Sequence, residues 1–465
     1  MRASAQNFAI ARSMAAAMAH TPPCLIIVLC GFPLIWPALW NGYPIVFADT
    51  GTYLSQAMHR YLGWDRPIFY SFFILPLHLG RSVWPVIVAQ SGLTLLVLDL
   101  TRRAFELPPR WLAGITLVLT SCSWLPWMVS ELMPDLFTPL LVLLLSLLVF
   151  TPARFGLKTR CGMTALAAFM IATQQSSVLL SAGLLALVIP GRWLVSRLWH
   201  QRIPGRTLMP AFAPLAAASA LILVNVIGHH RVAISPFGNV FVLARVIYDG
   251  PGMDVLRRDC PGAGWRLCPY LDRFPAISDA FLWDKTSPIL LAGGHKAVSA
   301  DADAIIHRAI LAEPAQILSA AVGNAITQLS AFASGDGLEP WPDQVSEWID
   351  RDFPAAERSR YHAARQQDGD LNIPAPLAAL HRAAALTGIV AATGLSVLAW
   401  RRRDPVFLFL MLGLATLPLS ATITGALSTP HDRYQSRVVW LPGLLALLSA
   451  PGLCTPRVPR GGRAV

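Results

Sequence analysis

Charge is scarce in this chain. Only 14% of its 465 residues are Asp, Glu, Lys or Arg, where a soluble domain carries about a quarter. That shortage excludes an ordinary water-soluble fold. Nucleotide and hydrolase signatures are missing as well. The sequence contains no P-loop, no HExxH, no G-x-S-x-G and no dinucleotide fingerprint, so ATP-driven chemistry on the cytoplasmic side has nothing to carry it. No internal repeat is visible, which argues against an inverted-repeat transporter. Seven cysteines are present, and Cys24, Cys30, Cys122, Cys161 and Cys454 lie in or beside apolar segments as small hydrophobes. Cys260 and Cys268 share a polar segment. Their spacing is too long for a C-x-x-C site, and a disulfide closing a short loop fits if that segment lies outside the cytoplasm.

Apolar residues fill the deficit. They make up 54% of the chain, the mean hydropathy is +0.51, and apolar runs near twenty residues recur. The bilayer is the solvent for such surface. The pattern predicts an all-α polytopic membrane protein with about ten transmembrane helices. The expected spans are 25–40, 83–100, 111–129, 136–150, 162–173, 178–195, 210–228, 383–400, 406–424 and 438–448. A short interfacial helix is expected over 68–79, and another before the first span, where the weak hydrophobic stretch is a poor cleavable signal. Three parts follow: an N-terminal membrane domain 1–228 with a first outer loop 41–80, an extracytoplasmic region 229–381, and C-terminal membrane helices 382–465.

The formal net charge is +11, yet the basic residues sit in short loops between apolar runs, which marks topology and anionic lipid and excludes nucleic acid as a partner. With both termini in the cytoplasm, Arg102, Arg103, Arg110, Arg154, Lys158, Arg160, Arg197, Arg202, Arg206, Arg401, Arg402, Arg403 and the tail arginines fall inside. The turns 130–135 and 174–177 fall outside and contain no Arg or Lys. Trp36, Trp40, Trp111, Trp127, Trp400 and Trp440 lie near span ends, as in an interfacial belt. The moderately apolar segment 314–333 carries Gln316, Asn324 and Gln328 and reads as an interfacial or domain helix of the outer region.

Polar residues at the outer face are the functional candidates. Asp49, just past the first span, is placed to act as a base; its alternative is a helix cap shared with Thr50. Glu131 and Asp135 bracket the turn before the fourth span and could lie near Asp49. No cofactor is fixed by the sequence, but three such acids could hold a divalent cation, Mg or Mn, through oxygen. The local alternative for Asp135 is favourable placement at a helix start. His431, Arg433, Tyr434 and Arg437 lie in the last outer loop, where two arginines break the charge rule. Guanidinium forks match phosphate oxygens, and the alternative is a salt bridge to Asp432 or Asp49, or contact with lipid headgroups. Tyr53 and Arg66 support the first loop. Gln174 and Gln175 read as a solvated turn.

The order of these motifs resembles the GT-C glycosyltransferases, in particular bacterial relatives of protein O-mannosyltransferases and lipid A aminoarabinose transferases. Phe47-Ala48-Asp49-Thr50-Gly51-Thr52-Tyr53 is similar to the acidic motif that those proteins carry after the first span. Arg66-Pro67-Ile68-Phe69-Tyr70, Met133-Pro134-Asp135 and Arg433-Tyr434 follow in the family's order. The sequence departs from it in having one acid where many relatives have Asp-Glu, and 229–381 matches no domain of the family. The resemblance implies a sugar donor on a polyprenyl phosphate, a glycan, lipid or protein acceptor, and a site facing away from the cytoplasm across a bacterial plasma membrane. It also implies that Asp49 is the base, that Arg433 binds the donor phosphate, and that Asp135 and Glu131 orient the acceptor or a metal. A polymerase or ligase of lipid-linked glycans, which would need no base at Asp49, stays open, as do a transporter or flippase and a non-catalytic subunit.

Overall fold

The structure, a computed structural model, describes residues 30–203, 208–260 and 262–454. The helix expected before the first span, the start of that span, Cys24, Arg206 and the basic tail lie outside the described residues. Among those residues the fold is all-α, and the sole β feature is an isolated bridge. The first half contains α1 (Trp36–Asn41), α2 (Thr50–Met58), α3 (Ile68–His78), α4 (Trp84–Ala104), α5 (Arg110–Cys122), α6 (Leu125–Ser130), α7 (Phe137–Phe150), α8 (Leu157–Ala172), α9 (Gln175–Trp199) and α10 (Leu208–His229). The middle contains α11 (Gly238–Tyr248), α12 (Pro251–Asp259), α13 (Ser278–Trp283), α14 (Pro288–Leu291), α15 (His295–Ala312), α16 (Pro314–Ser330), α17 (Glu347–Asp352) and α18 (Ala355–His362). The chain closes with α19 (Ala375–Arg401), α20 (Val406–Leu427), α21 (Asp432–Ser436) and α22 (Leu441–Cys454).

This is a polytopic membrane protein, but ten full-length spans are not present among the described residues. Six helical stretches are long and apolar enough to cross: α4, α9, α10, α19, α20 and 432–454. A seventh counts only if α15 and α16, bent by 102° to one another, are taken as one. The difference has a physical cause. α7 is 14 residues long, so it rises only about 21 Å, short of the roughly 30 Å hydrocarbon core. Every residue of α7 except Phe150 is buried. A helix apolar all round can face other helices as well as lipid, and sequence does not separate the two cases. The run 111–129 is likewise split, because Ser123 leaves the helix in extended geometry and α6 restarts beyond Trp124. The expected tryptophan belt also divides. Trp127 stands edge-on to Trp36 and Trp40, the three ring centroids lying 5.4–6.0 Å apart, and Trp127 and Trp440 are buried in the core.

The stretch 229–381 is shared between two cores. Residues 237–309 build their own, around Val240, Leu243, Leu256, Phe281, Val298 and Ile305. Cys260 and Cys268 are joined by a disulfide at its edge, Cα atoms 5.5 Å apart. Leu338, Val345, Ile349, Tyr361 and Leu371 belong instead to the core of the membrane helices. They cover the end of the bundle that carries Asp49. Gly51 shows how close this cover sits, since a Cβ there would lie 1.9 Å from the carbonyl oxygen of Gln344.

Candidate functional site

The segment preceding Asp49 is held from two sides. Ile45 N–H donates to the Ser130 carbonyl at 2.9 Å, and Leu132 N–H donates back to Ile45 at 2.9 Å. This is the isolated bridge that pairs Ile45 with Glu131. On the other side the buried Gln366 amide acts as a strand partner: it accepts from Val46 N–H at 3.0 Å and donates to the Val46 carbonyl at 2.7 Å. Glu357 accepts from Tyr43 Oη at 3.2 Å and from Val83 N–H at 2.9 Å. These bonds fix the backbone leading to Asp49 relative to the turn of Glu131 and Asp135.

Asp49 occupies the N-cap position of α2, but its side chain caps nothing. Thr50 Oγ1 accepts from Phe47 N–H and donates to the Leu132 carbonyl. The Asp49 carboxylate turns instead to Arg66, whose Nη2 donates to Oδ1 at 2.7 Å. Arg66 lies over the ring of Trp283, 5.6 Å from its centroid, and borders a narrow cleft shared with Gln175, Asn225 and His229. Tyr53 is buried one turn into α2, edge-on to Tyr70 at 4.9 Å.

Asp135 forms the second centre. One oxygen accepts from Arg433 Nη2 at 2.7 Å and the other from Arg437 Nη1 at 3.1 Å. The arginines therefore pair with neither Asp432 nor Asp49. Gln174 belongs to this centre and is not a solvated turn: its Oε1 accepts from Thr138 at 2.8 Å and from Arg437 at 3.3 Å. The Arg433 guanidinium carbon lies over Phe47, 3.6 Å from the ring centroid. Asp336 accepts from Arg433 N–H at 2.9 Å. Gly337 has φ +86° and faces Phe47 so closely that a Cβ would meet the ring at 2.6 Å, so this turn requires glycine twice over. Tyr434 stands edge-on to His431 and under Arg437. His431 donates to Asp279 at 3.0 Å, and this hydrogen bond raises the imidazole above its ordinary value.

Glu131 differs from the other acids. No hydrogen bond or ion pair holds its carboxylate among the described residues. Burial pushes it up to about 8, against the pull of Arg433, and the carboxylates of Asp135, Asp336 and Asp49 add to the rise. It lies close to both acid–arginine centres, whose charged groups act on it. The three acids do not form an oxygen cage. Among the described residues no group of three or more His, Cys, Asp or Glu is arranged to hold a metal. The reason is local: guanidinium groups occupy both oxygens of Asp135 and one of Asp49.

The structure thus brings together Asp49 with Arg66, and Asp135 with Arg433 and Arg437, with Tyr434 and His431 at the rim. The Cys260–Cys268 disulfide belongs to the separate 237–309 core. Sequence reasoning missed Phe47, Gln174, Gln366 and Asp336 as partners. Ser334-Gly335-Asp336-Gly337 has turn composition, but nothing in it points to Arg433. Comparison with family models, with curated proteins and with solved structures finds no match to this chain.

Proposed function

We propose that this protein is an integral membrane glycosyltransferase of GT-C type, moving a sugar from a polyprenyl-phosphate donor to a glycan, lipid or protein acceptor on the extracytoplasmic face of the plasma membrane. One observation carries the reading: a single buried carboxylate, Asp135, holds two guanidinium groups side by side. Two guanidinium groups converge on one carboxylate, with Asp49 and Asp336 close by, and forked donors suit phosphate oxygens. The pair arises where the chain enters its last membrane stretch; its guanidinium groups are 11% and 3% exposed, so a lipid-borne phosphate reaches them only once the loop carrying them moves aside. Asp135 is then a positioning residue for the donor site.

In the reaction, the acceptor hydroxyl oxygen attacks the anomeric carbon of the sugar. The bond from that carbon to the phosphate oxygen breaks, and polyprenyl phosphate leaves with the bonding electrons. The hydroxyl proton passes to a carboxylate. Asp49 is the base, oriented by Arg66, and Arg433 with Arg437 offsets the charge growing on the leaving phosphate. The disulfide fits an oxidising compartment, in line with this orientation.

The test is mass spectrometry of lipid-linked and surface glycans in a strain lacking the protein, complemented with wild type, Asp49→Asn or Arg433→Ala. Loss of one sugar, restored by wild type and by neither variant at equal expression, is the expected result. Removing one such donor lowers transfer by about 10²–10³-fold. An unchanged profile in the deletion strain would remove the glycosyltransferase reading and favour a transporter. Full rescue by Asp49→Asn with failure of Arg433→Ala would favour a lipid-linked glycan polymerase or ligase.

A further inference from the structure

We infer that α16 is a lipid-immersed helix laid against α20, not a helix of a water-facing domain. Its 17 residues, Pro314–Ser330, include no charged side chain. Leu318, Val322, Ile326 and Leu329 follow one another on one face at helical spacing, with 66%, 52%, 65% and 41% of their surface exposed. Exposed apolar residues scattered singly are ordinary, but a continuous stripe on an uncharged helix needs an apolar partner.

The occupant is argued from what stands beside the stripe. α20 is one of the helices long and apolar enough to cross the membrane, and α16 packs flush on it. A Cβ on Gly425 of α20 would lie 2.6 Å from the Asn324 carbonyl oxygen and 3.0 Å from the Ala325 Cα, so the two backbones touch. Four residues on, Gln328 exchanges hydrogen bonds with the backbone of His431, accepting at 2.9 Å and donating at 2.8 Å. The two chains therefore advance in the same direction from Gly425 to His431, and α16 shares the depth of the last turns of α20. A helix at that depth with an apolar outer stripe meets acyl chains. Asn324 and Gln328 turn inward, Asn324 Nδ2 donating to Asp249 at 3.1 Å and Gln328 being fully buried; Gln316, Ser319, Thr327 and Ser330 are exposed, and each donates to a backbone carbonyl, so no hydroxyl donor is offered bare to acyl chains.

Insertion has a consequence that rests on the proposed function. α16 grips the loop bearing the phosphate-binding arginines, through Gln328 on His431 and through Ala333 N–H on Asp432 at 2.6 Å. That loop would then be anchored by a helix bathed in the lipid from which the donor arrives.

The insertion itself is tested without any substrate. Single nitroxide labels are placed at Leu318→Cys, Val322→Cys and Ile326→Cys in full-length protein whose unpaired cysteines are replaced by serine, reconstituted in phosphatidylcholine–phosphatidylglycerol vesicles. Leu215→Cys on α10 and Asp272→Cys in the 237–309 part serve as lipid and water references. The expected result is collisional relaxation by oxygen and protection from a water-soluble nickel chelate at all three positions, as at Leu215. Relaxation by the nickel chelate like that at Asp272 would overturn the inference. A failure of the glycan experiment alone would leave this result standing, because the label reads the bilayer and not the reaction.

Discussion

Asp135→Asn tests the centre of the site without changing its shape. The carboxamide keeps the volume and one acceptor oxygen, but Arg433 and Arg437 lose their counter-charge at 2.7 and 3.1 Å. The three side chains are only 5%, 11% and 3% exposed, so water cannot replace the lost partner. Breaking a buried pair from one side costs about 3–5 kcal/mol, because it strands a charge away from water. Arg437→Met alone should cost less, since Asp135 keeps Arg433. The double variant Asp135→Asn/Arg437→Met should cost less than the two singles together, with a coupling of about 0.5–3 kcal/mol. Reversible unfolding in mixed detergent micelles measures all three. A loss below about 1 kcal/mol for Asp135→Asn, or strict additivity, would refute a buried, mutually dependent triad.

Glu131 gives a pH signature. Its carboxyl rises from 4.5 in the unfolded chain to about 8 when folded, so the folded state binds the proton more tightly, and stability falls as pH rises between those values and levels above. Thermal unfolding from pH 5 to 9 should show that slope in wild type and lack it in Glu131→Gln. Replacing Gln366 by Leu strands the N–H and carbonyl of Val46, at about 1–3 kcal/mol for each unpaired group; amide exchange over 43–50 should accelerate while exchange in α9 stays unchanged. Cys260→Ser with Cys268→Ser opens a loop with sequence separation 8, costing about 2–3 kcal/mol by chain entropy. Its loss of exchange protection should be confined to 237–309, and spread into α7 would contradict the division into two cores.

What the sequence made legible was the solvent. Low charge, long apolar runs and basic loops identify a multi-pass helical protein because each follows from burying backbone in hydrocarbon. The span count was less legible, since α7 is as apolar as any lipid-facing helix while packing against protein, and the run 111–129 is apolar on both sides of its break at Ser123. Within the site, Asp49, Asp135, Arg433 and Arg437 stand out as charges beside apolar runs, but their pairing does not. Arg433 lies 298 positions from Asp135 in sequence, and no local pattern encodes such a contact. Gln174 and Gln366 were opaque for another reason. An amide at a turn is polar whether it meets water or a buried arginine, and only burial tells the cases apart.

The cluster of Asp135, Arg433 and Arg437 is a poor way to stabilise a fold. Well-packed apolar residues in place of a buried ion triad are often neutral or stabilising by about 1–4 kcal/mol. A chain already 54% hydrophobic had such residues at hand, and α7 next to Asp135 is built from them. The proposed donor site gives the triad a use other than stability, and what its charges do can be separated from what they hold together. The triple variant Asp135→Leu/Arg433→Met/Arg437→Met removes every charge and strands none. It should unfold no more easily than wild type in micelles, yet fail to restore the missing sugar in the deletion strain. Restoration of the sugar by this variant would show that the arginines take no part in transfer. A loss of stability as large as that of Asp135→Asn would show that the triad holds the fold together.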